Sequence, residues 1–153
     1  MFGHLLARYL DYIYQDTVQR RYAAQRACME HNPAARLLDI GCQAGVNTLL
    51  LAQAAGTRHI VGLDYNARTL REAAQKGICA LVGDANRPLP FADASFDAVT
   101  MTDVLEHLVD PRLAISEARR VLRPGGYLVI ATPNLASWHN ILALLLGLQP
   151  FSG

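Results

Sequence analysis

The sequence has few cysteines, almost no net charge and no long apolar run, and each absence excludes a class of protein. Three cysteines, Cys28, Cys42 and Cys79, are an odd number without metal-ligand spacing, which argues against a disulfide framework. A net charge of +1 gives no electrostatic bias toward nucleic acid. The longest apolar run, residues 141–148, is too short to span a bilayer. We therefore expect a soluble, cytoplasmic protein without a metal site or a nucleic-acid partner.

The composition is that of a folded protein, because 52% of the 153 residues are hydrophobic and only 18% are charged. We expect one domain over residues 1–153. Its expected parts are an N-terminal helical segment at 1–33, a core at 34–134 and a C-terminal helix at 135–153. Apolar residues that follow the helical period predict the first helix at 4–31, ended by Asn32-Pro33.

Short apolar runs alternate with helical segments along the rest of the chain. The runs show little polar alternation, as in strands that helices cover on both faces. The predicted strands are 36–40, 59–63, 78–82, 96–101 and 127–132. The predicted helices are 46–55, 67–76 and 111–123, with Asn66 and Asp110 as N-caps and Gly56, Gly77 and Pro124-Gly125-Gly126 at their ends. This order predicts an α/β fold, a doubly wound, mainly parallel, Rossmann-like sheet of about five strands with an N-terminal helix.

Aspartates mark the carboxyl ends of four predicted strands. They are Asp39, Asp64, Asp84 and Asp103. Any one of them could cap a helix, but capping does not readily explain four along one edge. Ligands of doubly wound sheets bind outside this edge. An acidic edge repels a pyrophosphate and favours a ligand that is cationic and carries hydroxyls.

The stretch "LLDIGCQAG", residues 37–45, places two glycines directly after the first predicted strand. The turn contains Gly41 and Gly45 but not the three glycines of the G-x-G-x-x-G dinucleotide fingerprint. The absence of that fingerprint disfavours a nucleotide-dependent oxidoreductase. Asp64 follows at the end of the second strand, where a carboxylate can accept hydrogen bonds from both ribose hydroxyls. A ribose without phosphates, combined with a positive charge, describes S-adenosylmethionine.

Four motifs carry a family resemblance over about residues 35–134. They are "LLDIGCQAG", "VGLDYN", "GDANRPLPFADASFDAVTMTDVLEHL" and "EARRVLRPGGYLVIATPN". In order and spacing they resemble the motifs of class I S-adenosylmethionine-dependent methyltransferases, particularly the bacterial small-molecule group. The resemblance implies methyl transfer to an unidentified small-molecule acceptor, with S-adenosylhomocysteine as the other product. A truncated domain that binds the cofactor without turning it over is the alternative.

The resemblance also implies roles for individual residues. The residues implied in cofactor binding are Asp39, Gly41, Cys42, Gln43, Gly45, Asp64, Tyr65, Asp84, Ala85 and Thr102. Those at positions 39–45 would shape the methionine end. Asp64 would hold the ribose hydroxyls, and Tyr65 would lie against the adenine. Asp84 would accept from the adenine amino group, the Ala85 N–H would meet a ring nitrogen, and Thr102 would line the path to the acceptor.

Asp103 and His107 are the candidate catalytic residues. Four residues apart on a helical turn, they would point toward the same edge, and His107 could take a proton from the acceptor. Each also has a structural interpretation, Asp103 as the cap of a helix at 104–108 and His107 as part of that helix. Tyr65 could instead be a plain surface tyrosine. Cys42 is expected to be a small buried residue and not a nucleophile, because no basic partner lies near it in the sequence.

Two features depart from the family pattern. Gln43 stands where the family usually has a third glycine, and it costs up to a few kcal/mol if its φ is positive. Family members also continue beyond strand five with further strands, so we expect a truncated fold. Strand five, 127–132, would then be an exposed edge and a site of self-association. The N-terminal helix with Tyr12 could form a lid or pack on the core, and Trp138 could line the acceptor pocket or pack within a helix face.

Overall fold

A computed structural model describes residues 2–134 and 138–145 of the chain. Helices and strands follow one another in the alternating order expected of an α/β protein. They are α1 (Phe2–Ala27), β1 (Arg36–Ile40), α2 (Val46–Ala55), β2 (His59–Asp64), α3 (Ala67–Gln75), β3 (Cys79–Val82), β4 (Phe96–Thr102), a 3₁₀ helix (Leu105–His107), α4 (Pro111–Val121), β5 (Leu122–Ala131) and α5 (Trp138–Leu145).

The five strands form one parallel sheet in the order β3-β2-β1-β4-β5. This confirms the predicted doubly wound, parallel α/β architecture. The chain moves outward from β1 to β3 and then returns to the other side of β1 to form β4. The carboxyl ends of β1 and β4, at Ile40 and Thr102, therefore flank the switch point where such sheets bind ligands.

The core lies on both faces of the sheet, as the unalternating strands predict. Leu38 and Ile40 of β1 are fully buried in one cluster together with residues of β4 and α4. Leu37, which precedes them and points to the opposite face of the sheet, belongs to a second cluster with Leu51 and Ala52 of α2. Because β1 is enclosed on both faces, its carboxyl end is held firmly at the centre of the sheet.

Most helix ends follow the predicted capping signals. The bounds of α2 are those expected, with Gly56 in the left-handed conformation at its end. The side chain of Asn66 caps α3 by accepting from Arg68 N, and Asp110 caps α4. The predicted end of α1 is wrong, because the helix stops at Ala27 and not at residue 31.

The start of β5 also differs from the prediction. Helix α4 ends at Val121, and β5 begins at Leu122 and not at Tyr127. Leu122 pairs with Phe96 and Tyr127 pairs with Ala98, so the four residues after Leu122 form an irregularity within the ladder. The Pro124-Gly125-Gly126 run therefore belongs to a bulge in the strand, where Gly125 has a φ of +81°.

An arginine on α4 fixes the loop that precedes β4. Arg120 donates to the carboxylates of Asp93 and Glu117 and to the carbonyl oxygens of Leu89 and Phe91, at 2.7–3.0 Å. A planar guanidinium with five donors is suited to holding several acceptors of an irregular segment at once. This network holds the loop at 87–95 and so supports the position of β4.

The chain forms two compact units. One comprises residues 25–132, with the whole sheet, α2, α3, α4 and the last residues of α1. The other contains the remaining described residues, with most of α1 and with α5. Within residues 2–134 and 138–145, none of the helices is both long enough and apolar enough to cross a membrane.

Candidate functional site at the carboxyl edge of the sheet

The glycine turn joins β1 to α2 at the centre of the carboxyl edge. Gly41, Gln43 and Gly45 all have positive φ values, +79°, +47° and +77°. The N–H groups of Gly41 and Cys42 donate to the carbonyl oxygen of Leu63 at 2.7 and 3.2 Å. The turn is thus anchored to β2, and the positive φ of Gln43 meets the condition under which that residue is strained.

Both glycines are required by the protein's own packing. A Cβ atom on Gly41 would lie 2.3 Å from Cγ2 of Val104, and one on Gly45 would lie 2.3 Å from Cδ1 of Ile78. The family resemblance implied that the glycines help to shape the methionine end of a cofactor site. The structure shows that they also let the segment after β4 and the chain before β3 close against the turn.

Asp39 lies beneath this turn and is buried within the sheet. Its Oδ1 accepts from the Thr100 hydroxyl at 2.6 Å, and its Oδ2 accepts from the Thr48 hydroxyl at 2.5 Å. Burial raises the pKa of Asp39 to about 6, although both hydrogen bonds act in the opposite direction. The carboxylate therefore connects β1, α2 and β4, and its two threonine partners are contacts that the sequence did not reveal.

Asp64 ends β2 and binds the glycine turn directly. Its Oδ2 accepts from the N–H of Gln43 and its Oδ1 from the N–H of Asn66, both at 2.9 Å. Each carboxylate oxygen keeps a further lone pair that can accept from a hydroxyl. The next residue, Tyr65, is 81% exposed, so its ring is available to a flat ligand group at the surface.

Asp84 and Ala85 follow β3 at the outer part of the same edge. Asp84 is exposed, and its Oδ1 accepts from the N–H and the side-chain amide of Asn86 at 2.8 and 3.0 Å. The hydrogen bond from the Asn86 N–H lowers the pKa of Asp84 below its ordinary value. Asp84 is therefore ionised at neutral pH, while Ala85 packs partly against the core.

Cys42 has the properties of a small buried residue. Its sulfur lies 2.6 Å from the position that a Cβ on Gly62 would take, so it fills the space beside that glycine. Burial raises the pKa of Cys42 to about 12, and the nearby carboxylates of Asp39 and Asp64 act in the same direction. The thiol is protonated at neutral pH and is not a nucleophile.

A group of neutral polar side chains lies at the carboxyl end of β4. Gln25 Nε2 donates to the Thr102 hydroxyl at 2.8 Å, and Asn47 Nδ2 lies 3.1 Å from the same hydroxyl and 3.3 Å from Gln25 Oε1. Thr102 was a predicted site residue, whereas Gln25 and Asn47 were not. Asn47 Oδ1 is buried and meets no donor within the part of the chain that the structure describes.

Asp103 and His107 do not share one helical turn. Asp103 has a φ of +54°, and its N–H donates to the carbonyl oxygen of Ala131 at 2.8 Å, which fixes it against β5. The following 3₁₀ helix has Val104 at its N-cap and no side-chain cap, so the predicted capping role of Asp103 is wrong. Asp103 is half-buried and His107 is exposed, both beyond the carboxyl end of β4.

The structure thus brings the predicted site residues to one edge but not into one cluster. Among the described residues, no three His, Cys, Asp or Glu side chains lie together in a way that could hold a metal ion. The backbone of Trp138 is described as the start of α5, but its side chain lies outside the described residues, as does the predicted C-terminal segment beyond Leu145. Tyr12 of α1 is exposed.

A family profile described as "Methyltransferase domain" matches residues 38–130. The chain belongs to this methyltransferase family. It is 38% identical over 116 residues to a demethylmenaquinone methyltransferase of Mycobacterium marinum, covering 76% of this chain and 48% of the relative. It is 37% identical over 117 residues to a probable S-adenosylmethionine-dependent methyltransferase of Mycolicibacterium smegmatis, covering 75% and 45%.

Solved methyltransferases share the fold. An S-adenosylmethionine-dependent methyltransferase from Mesorhizobium loti superposes with a TM-score of 0.64 at 25% identity, over 71% of this chain and 51% of that one. The chain spans about half the length of the curated relatives it matches. Its sheet has the class I methyltransferase topology, and family membership supports S-adenosylmethionine as its cofactor.

The residues at the edge fit this cofactor. Asp64 keeps acceptor capacity for ribose hydroxyls. Asn47 Oδ1, a buried acceptor that meets no donor among the described residues, suits an ammonium group. The carboxylates of Asp39, Asp64 and Asp84 favour a ligand that carries a positive charge.

Proposed function

We propose that the domain transfers a methyl group from S-adenosylmethionine to a small-molecule acceptor. The observation that carries the proposal is the Gly41–Gly45 turn, hydrogen-bonded to Asp64 and placed above Asp39 at the switch point of the sheet. That arrangement offers acceptors and negative charge where a dinucleotide site offers donors to a pyrophosphate.

The predicted binding roles follow the order of the strands. Asp84, the Ala85 N–H and Tyr65 would hold the adenine near β3, and Asp64 would hold the ribose at β2. The turn at 41–45 would carry the methionine end toward β4. The bound cofactor supplies an activated methyl group, so the protein's main contribution is to orient the acceptor and exclude water.

The relatives guide the choice of acceptor. Several mycobacterial relatives are named demethylmenaquinone methyltransferases, and we propose demethylmenaquinone, in its reduced form, as the first acceptor to test. Methyl transfer breaks the bond between methyl carbon and sulfur, leaves the electron pair on sulfur, and forms a bond to the acceptor. The acceptor then loses a proton, which a base at the edge can accept.

His107 and Asp103 are the proposed groups for that proton. If His107 acts as the base, His107→Ala lowers turnover by about 10²-fold or more and leaves the affinity for S-adenosylhomocysteine nearly unchanged. His59→Ala is a matched control, since His59 is exposed at the amino end of β2, away from this edge. Equal losses of turnover and affinity in His107→Ala would exclude the catalytic role.

The test of the proposed function is methyl transfer itself. S-adenosylmethionine labelled in the methyl group is incubated with the protein and reduced demethylmenaquinone, and both the labelled product and S-adenosylhomocysteine are measured. We expect the two products in equal amounts. Cofactor binding without either product, across a panel of small-molecule acceptors, would favour the alternative of an inactive, cofactor-binding domain.

We also propose self-association through β5 and a cytoplasmic location. Within the described residues β5 forms one edge of the sheet, and Ile130 on it is 37% exposed. An apolar edge strand offers unpaired backbone groups to another chain. The free thiols of Cys28, Cys42 and Cys79 are in keeping with a reducing compartment.

A further inference from the structure

Lys76, the one lysine of the sequence, connects the end of α3 to the glycine turn. It is the C-cap residue of α3, and its Nζ donates to the carbonyl oxygens of Ala44 and Glu72 at 2.7 and 3.4 Å. The Glu72 carbonyl belongs to the last turn of α3, where carbonyl groups have no partner within the helix. The bond to Ala44 is the shorter of the two and does not cap the helix, so it calls for a separate explanation.

The end of α3 also packs against the turn. A Cβ atom on Gly45 would lie 3.2 Å from Cβ of Ala73, so the two segments are already in close contact there. A hydrogen bond from an ammonium to a carbonyl oxygen is stronger than one between neutral groups, although the exposure of Lys76 reduces its strength. The turn and the helix are thus joined by packing and by a charge-assisted hydrogen bond.

Gln43 gives the turn a reason to need this bond. Its φ of +47° lies in the left-handed region, which a residue with a Cβ disfavours. A strained backbone conformation persists only where its surroundings hold it. The N–H of Gln43 donates to Asp64, and the carbonyl oxygen of the next residue, Ala44, accepts from Lys76. The two bonds therefore hold the backbone on both sides of the strained residue.

We propose that Lys76 is a positioning residue that keeps the strained glycine turn in the conformation that binds the cofactor. This inference rests on the proposed function, in which the turn at 41–45 holds part of the cofactor. Without the bond from Lys76, the turn can relieve the strain at Gln43 by leaving the left-handed conformation. The measured affinity then falls in proportion to the fraction of molecules that keep the binding conformation.

The first test is calorimetric titration of single variants with S-adenosylhomocysteine. Lys76→Met removes the charge and the donors and keeps a long, flexible side chain, and it should weaken binding by about three- to tenfold. Lys76→Arg keeps both charge and donors and should bind within about twofold of the wild type. Arg71→Met removes an exposed cation from the same helix and is the matched control, with unchanged affinity expected.

The decisive readout is the dependence of this loss on Gln43. In Gln43→Gly the turn has no strain to relieve and keeps its conformation without Lys76. Adding Lys76→Met to that variant should therefore weaken S-adenosylhomocysteine binding by less than about twofold. A loss of equal size in both backgrounds would overturn the proposal, because Lys76 would then act independently of the strained residue. Unchanged affinity in the single variant Lys76→Met would overturn it as well.

Urea denaturation without ligand separates this inference from the proposed function. Gln43→Gly should raise the urea midpoint of the wild type and raise it less in Lys76→Met, where the turn has already relaxed. If the wild-type protein binds neither S-adenosylmethionine nor S-adenosylhomocysteine, the proposed function fails, and the midpoints still decide whether Lys76 holds the turn. Equal midpoint shifts in the two backgrounds would show that it does not.

Discussion

At the scale of single residues, Gln43 is the departure from the family pattern whose cost the structure defines. Its φ of +47° lies in the left-handed region, and its side chain is exposed. A residue with a Cβ pays about 1–2 kcal/mol to adopt a left-handed conformation, and glycine avoids this cost. Glycine also gives the unfolded chain more conformational freedom, which offsets part of the gain in stability. The hydrogen bond to Asp64 uses only the backbone N–H of Gln43 and survives substitution.

Gln43→Gly should therefore raise the free energy of unfolding by about 0.5–1 kcal/mol, measured by urea denaturation. Ala94→Gly is a second positive case, because Ala94 is exposed with a φ of +53°. Gln53→Gly within α2 should lower the free energy of unfolding by about 1 kcal/mol, as glycine does inside helices. A Gln43→Gly variant less stable than the wild type would show that this backbone is not strained.

Asp39 gives a prediction about pH. Its pKa is about 6 in the folded protein and 3.8 in the unfolded chain, so the folded state holds a proton between these values that the unfolded state has released. The free energy of unfolding then falls as pH rises from about 4 to about 6, by roughly 3 kcal/mol for this group.

Asp39→Asn should remove that dependence. Asn has no proton to lose, and the hydroxyls of Thr48 and Thr100 can either donate to it or accept from it. Relative to the wild type, the variant should gain roughly 2–3 kcal/mol in the free energy of unfolding between pH 4 and pH 7.5, by urea denaturation at each pH. Comparing the two proteins cancels the contributions of other groups, such as Asp84 and Glu117, whose lowered pKa values act in the opposite sense. If the difference in the free energy of unfolding between variant and wild type stays constant with pH, Asp39 is not protonated at pH 4 in the folded protein.

At the scale of elements, local signals predicted most of the sheet. Strand β1 has the predicted bounds, and β2, β3 and β4 each differ by one residue at one end. The exception is β5, where Pro124-Gly125-Gly126 indicated a helix end. The pairing of Leu122 with Phe96 draws the chain into the sheet before that run, a tertiary contact that no local pattern shows.

Local signals predicted the candidate site to about the same extent as they predicted the sheet. The aspartates and the glycine turn lie at the carboxyl ends of strands or just after them, so their placement follows from strand order alone. Gln25 could not be found in this way, because its hydrogen bond to Thr102 joins positions 77 residues apart. The sequence also did not show that packing requires the two glycines, since Val104 and Ile78 reach the turn only in the folded chain.

The edge strand β5 carries the prediction at this scale. We expect the chain to sediment as a dimer or larger species at high concentration, because an unpaired apolar strand can pair with another chain. Ile130→Lys places a charge on that edge and should shift the distribution toward monomer. Ile115→Lys, at an exposed position on α4, is the matched control. A wild-type chain that stays monomeric at high concentration would refute association through β5.

At the scale of the whole molecule, the fold and the site describe a cofactor-binding unit organised along one edge of a sheet. The order from β3 to β4 sets the expected order of adenine, ribose and amino-acid group. Acidic residues lie along the first part of this path, and neutral amides lie at its end. The distribution of charge therefore favours a cationic nucleoside and disfavours a pyrophosphate.

Calorimetric titration with S-adenosylmethionine, S-adenosylhomocysteine and NAD tests this account most directly. We expect both sulfur nucleosides to bind and NAD not to bind measurably. Asp64→Asn should weaken S-adenosylhomocysteine binding by about tenfold, through weaker hydrogen bonds to the ribose, while Asp93→Asn, an exposed acid away from the carboxyl edge, should not. Binding of NAD in preference to the sulfur nucleosides, or unchanged affinity in Asp64→Asn, would contradict the account.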